Sequence, residues 1–184
     1  MTLHLQKIGE GLFLSTENIV CVGPKHTEFL KEQAWTSTRK RARICAHRDN
    51  DDQLHEMLIA ISKDSYIRPH RHTAKIESFH VIEGVVDVVI FTDSGSVLDV
   101  IELGDNISGR YYYYRLPKGI FHTLIVRSEF LVLHEVTNGP FRSTETEHAP
   151  FAPAECQLEA VEVYKLTIQS IIKQQQIAQK EIVI

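Results

Sequence analysis

The hydrophobic pattern changes character twice along the chain. From about Met57 to Val136, short runs rich in Val, Ile, Tyr and Phe alternate with turn residues: MLIAIS, FHVIEG, VVDVVIFTD, VLDVIEL, YYYYRLP, HTLIVR and FLVLHEV. Such regular punctuation predicts an antiparallel all-β sandwich or barrel, not alternating strands and helices. Asp93-Ser94-Gly95-Ser96 stands between two of the runs and predicts a hairpin loop. After the Pro-containing stretch EHAPFAPAE the period becomes helical. Leu158, Val161, Tyr164, Ile168, Ile171 and Ile172 share one face of a helix expected to pack on the barrel or at a subunit contact. Ahead of the barrel come the apolar run LFLS, a turn at Gly23-Pro24, and a helix predicted over 26–35 that Thr27 can cap.

Composition narrows the class. A chain of 184 residues suits one domain, divided here into an N-terminal extension (1–55), a barrel core (56–141) and a C-terminal loop and helix (142–184). A net charge of −4 provides no field to draw in nucleic acid. No stretch approaches the roughly 20 apolar residues of a membrane span, and the N-terminus lacks the layout of a signal peptide. Cys21, Cys45 and Cys156 are widely spaced and form no CxxC pair, which argues for a reducing compartment. The expectation is a cytoplasmic protein with a small-molecule ligand and neither a nucleic-acid nor a membrane partner.

The candidate chemistry is concentrated in PHRHTAKIESFHVIEG, residues 69–84. Side chains two apart on a strand point the same way, so SYIRPHRH taken as a strand places Tyr66, Arg68, His70 and His72 on one face. A turn through Thr73 to Ile76 then returns Glu77 on the next strand, and Gly84 falls where the chain must turn again. His80 has the opposite parity to Glu77 and drops out. In LPKGIFHTLI, Pro117 and Gly119 make a tight turn and His122 opens a strand that a closed barrel brings to the same interior point.

These two stretches resemble the cupin motifs. HRHTAKIESFHVIEG matches the first at every spacing and PKGIFH matches the core of the second; the departures at Asp64, Tyr111 and Val126 touch turns and strand ends but no ligand. The wider pattern over residues 39–153 (RKRARICAH, EMLIAI, YIRPHRHTAKIESFHVIEG, FTDSGSV, LPKGIFHTLI, EVTNGPF and HAPFAP) resembles the WbuC-type cupin-fold metalloproteins. The resemblance implies a mainly β, cupin double-stranded β-helix and one divalent metal held by His70, His72, Glu77 and His122. It also implies a homodimer, and a role near surface-polysaccharide or nucleotide-sugar metabolism.

Three imidazoles and a carboxylate suit Zn, Fe, Mn, Co or Ni and leave positions open for a ligand. Lewis-acid isomerase or epimerase chemistry on a small anionic sugar or sugar phosphate is the first expectation. An Fe(II) dioxygenase and a non-catalytic, metal-anchored binding protein are the alternatives. RARICAHR alternates, with Arg41, Arg43, Cys45 and His47 on one face. It is either a half-buried edge strand with a solvated charged side or a pair of arginines holding an anionic group. Tyr66 and Arg68 are further ligand-binding candidates by parity. Lys75 is expected to be a solvated turn residue, Tyr111 to Tyr114 to point alternately in and out, and only one of His134 and Glu135 to face the interior. His4, His26, His55, His80 and His148 carry no functional expectation.

Overall fold

The computed structural model describes residues 4–182, with side chains through Ile177; residues 1–3 and 183–184, the ends of the expected single domain, lie outside the described residues. Twelve strands and two long helices follow one another as β1 (Leu5–Gly9), β2 (Leu12–Ser15), α1 (Pro24–Thr36), β3 (Arg41–Cys45), β4 (Leu54–Ser62), β5 (His70–His72), β6 (Glu77–Glu83), β7 (Val85–Phe91), β8 (Val97–Gly104), β9 (Tyr113–Leu116), β10 (Phe121–Val126), β11 (Phe130–Asn138), β12 (Thr146–His148) and α2 (Leu158–Ile182). They form a seven-stranded sheet ordered β1-β2-β3-β4-β11-β6-β9 and a five-stranded sheet ordered β12-β5-β10-β7-β8. Every pairing is antiparallel except β2 with β3. The expected β-barrel with flanking helices is thus the observed architecture.

Each sheet is also covered on part of its outer face, which explains the unbroken apolar runs there. On β4, Met57, Ile59 and Ile61 point into the barrel with Phe79, Val81, Leu131 and Leu133. Their neighbours Leu58 and Ala60 face outward and pack with Ala42, Ile44 and Val132 under Leu30 and Ala34 of α1. The second sheet sends Val86, Val88, Ile90 and Leu124 inward. Its outward Val89, Phe91 and Phe121 are covered by Ile168 and Ile172 of α2, each contributing roughly 1.5–3 kcal/mol by burial. The helical period read at Ile168 and Ile172 therefore marks packing on the barrel.

Turn chemistry joins the layers. The hairpin at residues 93–96 is present: Gly95 has φ +91°, and Thr92 and Ser96 close the loop backbone to backbone. Gly84 carries the chain from one sheet to the other as the single residue between β6 and β7, at φ +92°.

Several local expectations are corrected. Helix α1 starts at Pro24, and Gly23 donates its N–H to His26 Nδ1 (2.9 Å), so His26 anchors the helix start while Thr27 is buried in the first turn. Strand β3 is no edge: β2 and β4 flank it. Only Tyr114 of the tyrosine run turns inward; Tyr111, Tyr112 and Tyr113 are all exposed, because β9 begins only at Tyr113 and strand alternation does not govern the residues before it.

Candidate metal centre

Strand β5 is the hinge of the site. Its His70 lies opposite His122 of β10 on one side and opposite His148 of β12 on the other. The Gly119 N–H, in the turn leading into β10, donates to the His72 carbonyl (2.8 Å), and Gly119 holds φ +85° to do so. That bond ties the two motifs together. Glu77, the first residue of β6, comes from the facing sheet, opposite Thr137 and Leu116.

The imidazoles converge. Ring centroids lie 4.6 Å apart for His70 and His122, 5.1 Å for His70 and His72, and 6.0 Å for His72 and His122. One ligand atom from each of the three falls within 4.8 Å of the other two. Each ring is turned by a bond at its far nitrogen. His70 Nδ1 meets the Arg68 carbonyl (2.9 Å), His122 Nδ1 the Ile120 carbonyl (3.0 Å), and His72 Nδ1 the Thr146 hydroxyl (3.2 Å). A carbonyl only accepts, so Nδ1 of His70 and His122 carries the hydrogen and leaves the Nε2 lone pair for a cation.

Glu77 sits among those Nε2 atoms, with Oε1 2.9 Å from His122 Nε2 and Oε2 3.2 Å from His72 Nε2. His70, His72 and His122 thus form a group that can hold a metal ion, and the Glu77 carboxylate lies beside two of its three imidazoles. Tyr114, buried in the wall, donates its hydroxyl to Glu77 Oε1 (3.0 Å) and fixes the carboxylate.

Electrostatics favour a cation here. Burial pushes the Glu77 carboxyl up, but the charge and hydrogen bonds of His122 and His72 outweigh it and hold the group far below the carboxylate range. Burial, joined by the charge of His122, pushes His70 down to about 3, so it stays a neutral donor. His122 is pushed up: burial opposes its charge, and Glu77 more than offsets that. A bound metal must displace the His122 proton, whose hold is raised above the ordinary histidine value of about 6.5, so metal affinity is expected to fall as pH drops into and below the neutral range. Equal affinity at pH 5 and pH 8 in a competition titration would overturn this.

The other candidate residues divide. Arg41 pairs with Glu155 (2.9 Å), which also binds Arg39 (2.6 Å), and so closes the C-terminal loop onto β3. Tyr66 donates to the Pro153 carbonyl (3.0 Å) and lines a narrow crevice with Tyr164 and Ile168 under α2. Arg68 donates to the Ala149 carbonyl (3.2 Å). The structure therefore does not bring Arg41, Tyr66 or Arg68 to the imidazoles. The strand starts only at His70, after Pro69, so the parity assumed for SYIRPHRH does not hold, and Ile67 is the residue packed against the interior core. Arg43 does face inward, with Nη1 3.7 Å from Met57 Sδ.

Two residues take unexpected places. Lys75 is only 4 % exposed and lies over the Phe141 ring (4.4 Å to the centroid), not in solvent; burial pulls its amine down despite the charges of Glu145 and Glu135. Glu135, not His134, faces the interior, opposite Met57 and Phe79. Burial and then the charge of Glu77 push its carboxyl up to about 7, against the pull of Arg43.

Among the described residues no helix is long and apolar enough to cross a membrane. Residues 24–103 match the model of a family described as a domain of unknown function (DUF6016). No curated protein matches the chain. Among solved structures, protein SO0799 from Shewanella oneidensis is similar over 69% of this chain and 83% of its own, with 16% identity and a TM-score of 0.51. KdgF from Halomonas sp. aligns over 56% of this chain and 82% of its own (12% identity, TM-score 0.44). An uncharacterized conserved protein with a double-stranded β-helix domain from Klebsiella pneumoniae aligns over 59% and 79% (14% identity, TM-score 0.46). Two antiparallel-rich sheets closed over three converging imidazoles give this chain the double-stranded β-helix fold of the cupins, with a histidine group that can hold a metal.

Proposed function

We propose that the protein is a metal-dependent enzyme acting on a small anionic sugar or sugar phosphate, in which the cation polarises a carbonyl or hydroxyl oxygen. The observation that carries the reading is the orientation of His70, His72 and His122: their Nδ1 atoms are engaged outside the cluster and one ligand nitrogen of each converges with the other two, with Glu77 beside those of His72 and His122. Arg43, the inward-facing arginine, is the contact for the anionic group, because a guanidinium offers paired donors to an oxyanion. The resemblance of residues 39–153 to WbuC-type proteins supplies the sugar context and the pairing of two copies.

The test combines elemental analysis of protein purified without added metal with thermal stabilisation by a panel of sugar acids, sugar phosphates and nucleotide sugars. Roughly one divalent ion per chain is expected, with stabilisation by at least one panel member only when metal is present. No response to the whole panel would refute the sugar reading. Iron together with oxygen uptake would replace it with a dioxygenase.

A further inference from the structure

Glu135 and Arg43 form a feature that metal binding alone does not use. Glu135 is on β11, an interior strand of its sheet, with β4 on one side and β6 on the other. It shares the interior face with Leu131 and Leu133 and is directly opposite Met57 and Phe79. Glu77 lies opposite Thr137, two residues further along the same strand, so the two carboxylates are diagonal neighbours roughly 7–8 Å apart at the backbone. Glu135 is therefore one pleat beyond the ligands and outside the cluster of converging donor atoms. Arg43 reaches the same spot from β3: its guanidinium touches Met57, the residue facing Glu135.

These two groups stand on either side of Met57 without pairing. Among the described residues, Arg43 makes no ion pair, and Glu135 makes neither a hydrogen bond nor an ion pair. Both keep accessible surface, as do His70 and His72. For an inward-pointing carboxyl on a strand flanked on both sides, that surface can only open into the barrel. A guanidinium and a carboxyl thus face the same interior as the imidazoles, and among the described residues neither is held in an ion pair.

We propose that Arg43 and Glu135 form a ligand subsite for a small hydroxy acid, whose carboxylate pairs with Arg43 and whose hydroxyl hydrogen-bonds Glu135. This rests on the metal-dependent reading above and narrows it to carboxylate ligands. A phosphate dianion would set two charges against a single guanidinium, with Glu77 ionised one pleat from Glu135 and Ile59 as the apolar cross-strand neighbour of Arg43. A carboxylate needs only the two donors of the guanidinium fork. The charged or titratable groups around Glu135 are Glu77, His72, His122 and Arg43, with the Lys75 amine, the Tyr114 hydroxyl and the Cys45 thiol.

The test uses the full-length Co(II)-loaded protein, titrated with glycolate, methoxyacetate, acetate and inorganic phosphate and followed by Co(II) absorption. The wild-type protein is expected to prefer glycolate over methoxyacetate by about tenfold, the worth of one hydrogen bond to a buried partner. Glu135→Leu, close in volume and suited to an interior strand position, should erase that preference while binding acetate as before. Arg43→Met should weaken glycolate and acetate alike by about tenfold or more. Should Glu135→Leu not retain Co(II), Glu135→Met takes its place. Glycolate preference that survives in these Glu135 variants, its absence in the wild type, or phosphate binding as tight as glycolate overturns the subsite. Failure of the wild-type protein to bind Co(II) at all overturns the metal-dependent reading itself, a separate result visible before any acid is added.

Discussion

Replacing His72 by alanine is expected to lower metal affinity by more than about a hundredfold while leaving the fold in place. Loss of an outer-sphere partner alone typically costs about 10–100-fold, and His72 Nε2 is one of the donors facing Glu77, 3.2 Å away. His72 is the informative position because its side chain keeps 18% of its exposure at the end of a three-residue strand. Truncation there removes a donor and little packing. His122 is 2% exposed and paired on both sides, with Ile90 of β7 and His70 of β5, so its loss would confound coordination with stability. Tyr114→Phe supplies the graded comparison: all four donors remain, Glu77 loses its hydroxyl bond, and affinity should fall by about tenfold. Calorimetric titration with zinc reads both variants. Full occupancy in His72→Ala at wild-type affinity would refute the ligand set.

The same residues show why part of the site was legible in sequence and part was not. The convergence of His70 and His72 could be read because strand alternation is exact within β5, and PKGIFH supplies the third imidazole, His122, on the strand that pairs with β5. Tyr66 and Arg68 could not, because alternation was extended across Pro69 into a segment that is not a strand. Glu135 was undecidable from FLVLHEV: β11 is buried on both faces, so Phe130 and Val132 are as apolar as Leu131 and Leu133 and no polar side marks the parity. The same double burial hid the position of β3, whose RARIC alternation suggested a solvated edge. Its charged face looks into the barrel at Arg43, and at Arg41 it is capped by Glu155 from a loop more than a hundred residues away. Lys75 could not be read because what buries it, the Phe141 ring, comes from the distant connection after β11. Local periodicity specifies faces; it does not specify what a remote segment lays across them.

The glycine that ends the first motif belongs to the fold more than to the chemistry, and its replacement gives the largest expected loss of stability. Gly84 is the sole residue between β6 in one sheet and β7 in the other, at φ +92°. A Cβ there would come within 2.3 Å of the Phe130 carbonyl oxygen and 2.4 Å of Ser128 Oγ. That hydroxyl is already committed, accepting the Val85 N–H (2.9 Å) and donating to the Phe130 carbonyl, so it cannot turn aside without opening the crossover. Gly84→Ala therefore combines the roughly 1–2 kcal/mol of a disfavoured backbone with roughly 1–3 kcal/mol of overpacking against rigid atoms, about 3 kcal/mol in all. Gly109 separates the two contributions: its φ is +73°, but a Cβ there meets nothing within 4 Å, so Gly109→Ala should cost only about 1 kcal/mol. Urea midpoints of the metal-free proteins, compared at unchanged slope, read the difference without the stabilisation that bound metal adds. Equal midpoints for the two variants would mean that backbone conformation alone sets the cost and that the Ser128 bracket contributes nothing. A larger loss at Gly84 would show why a metal motif extends seven residues past its last ligand: the glycine fixes the crossover that presents Glu77 on β6 to the histidines of the opposite sheet.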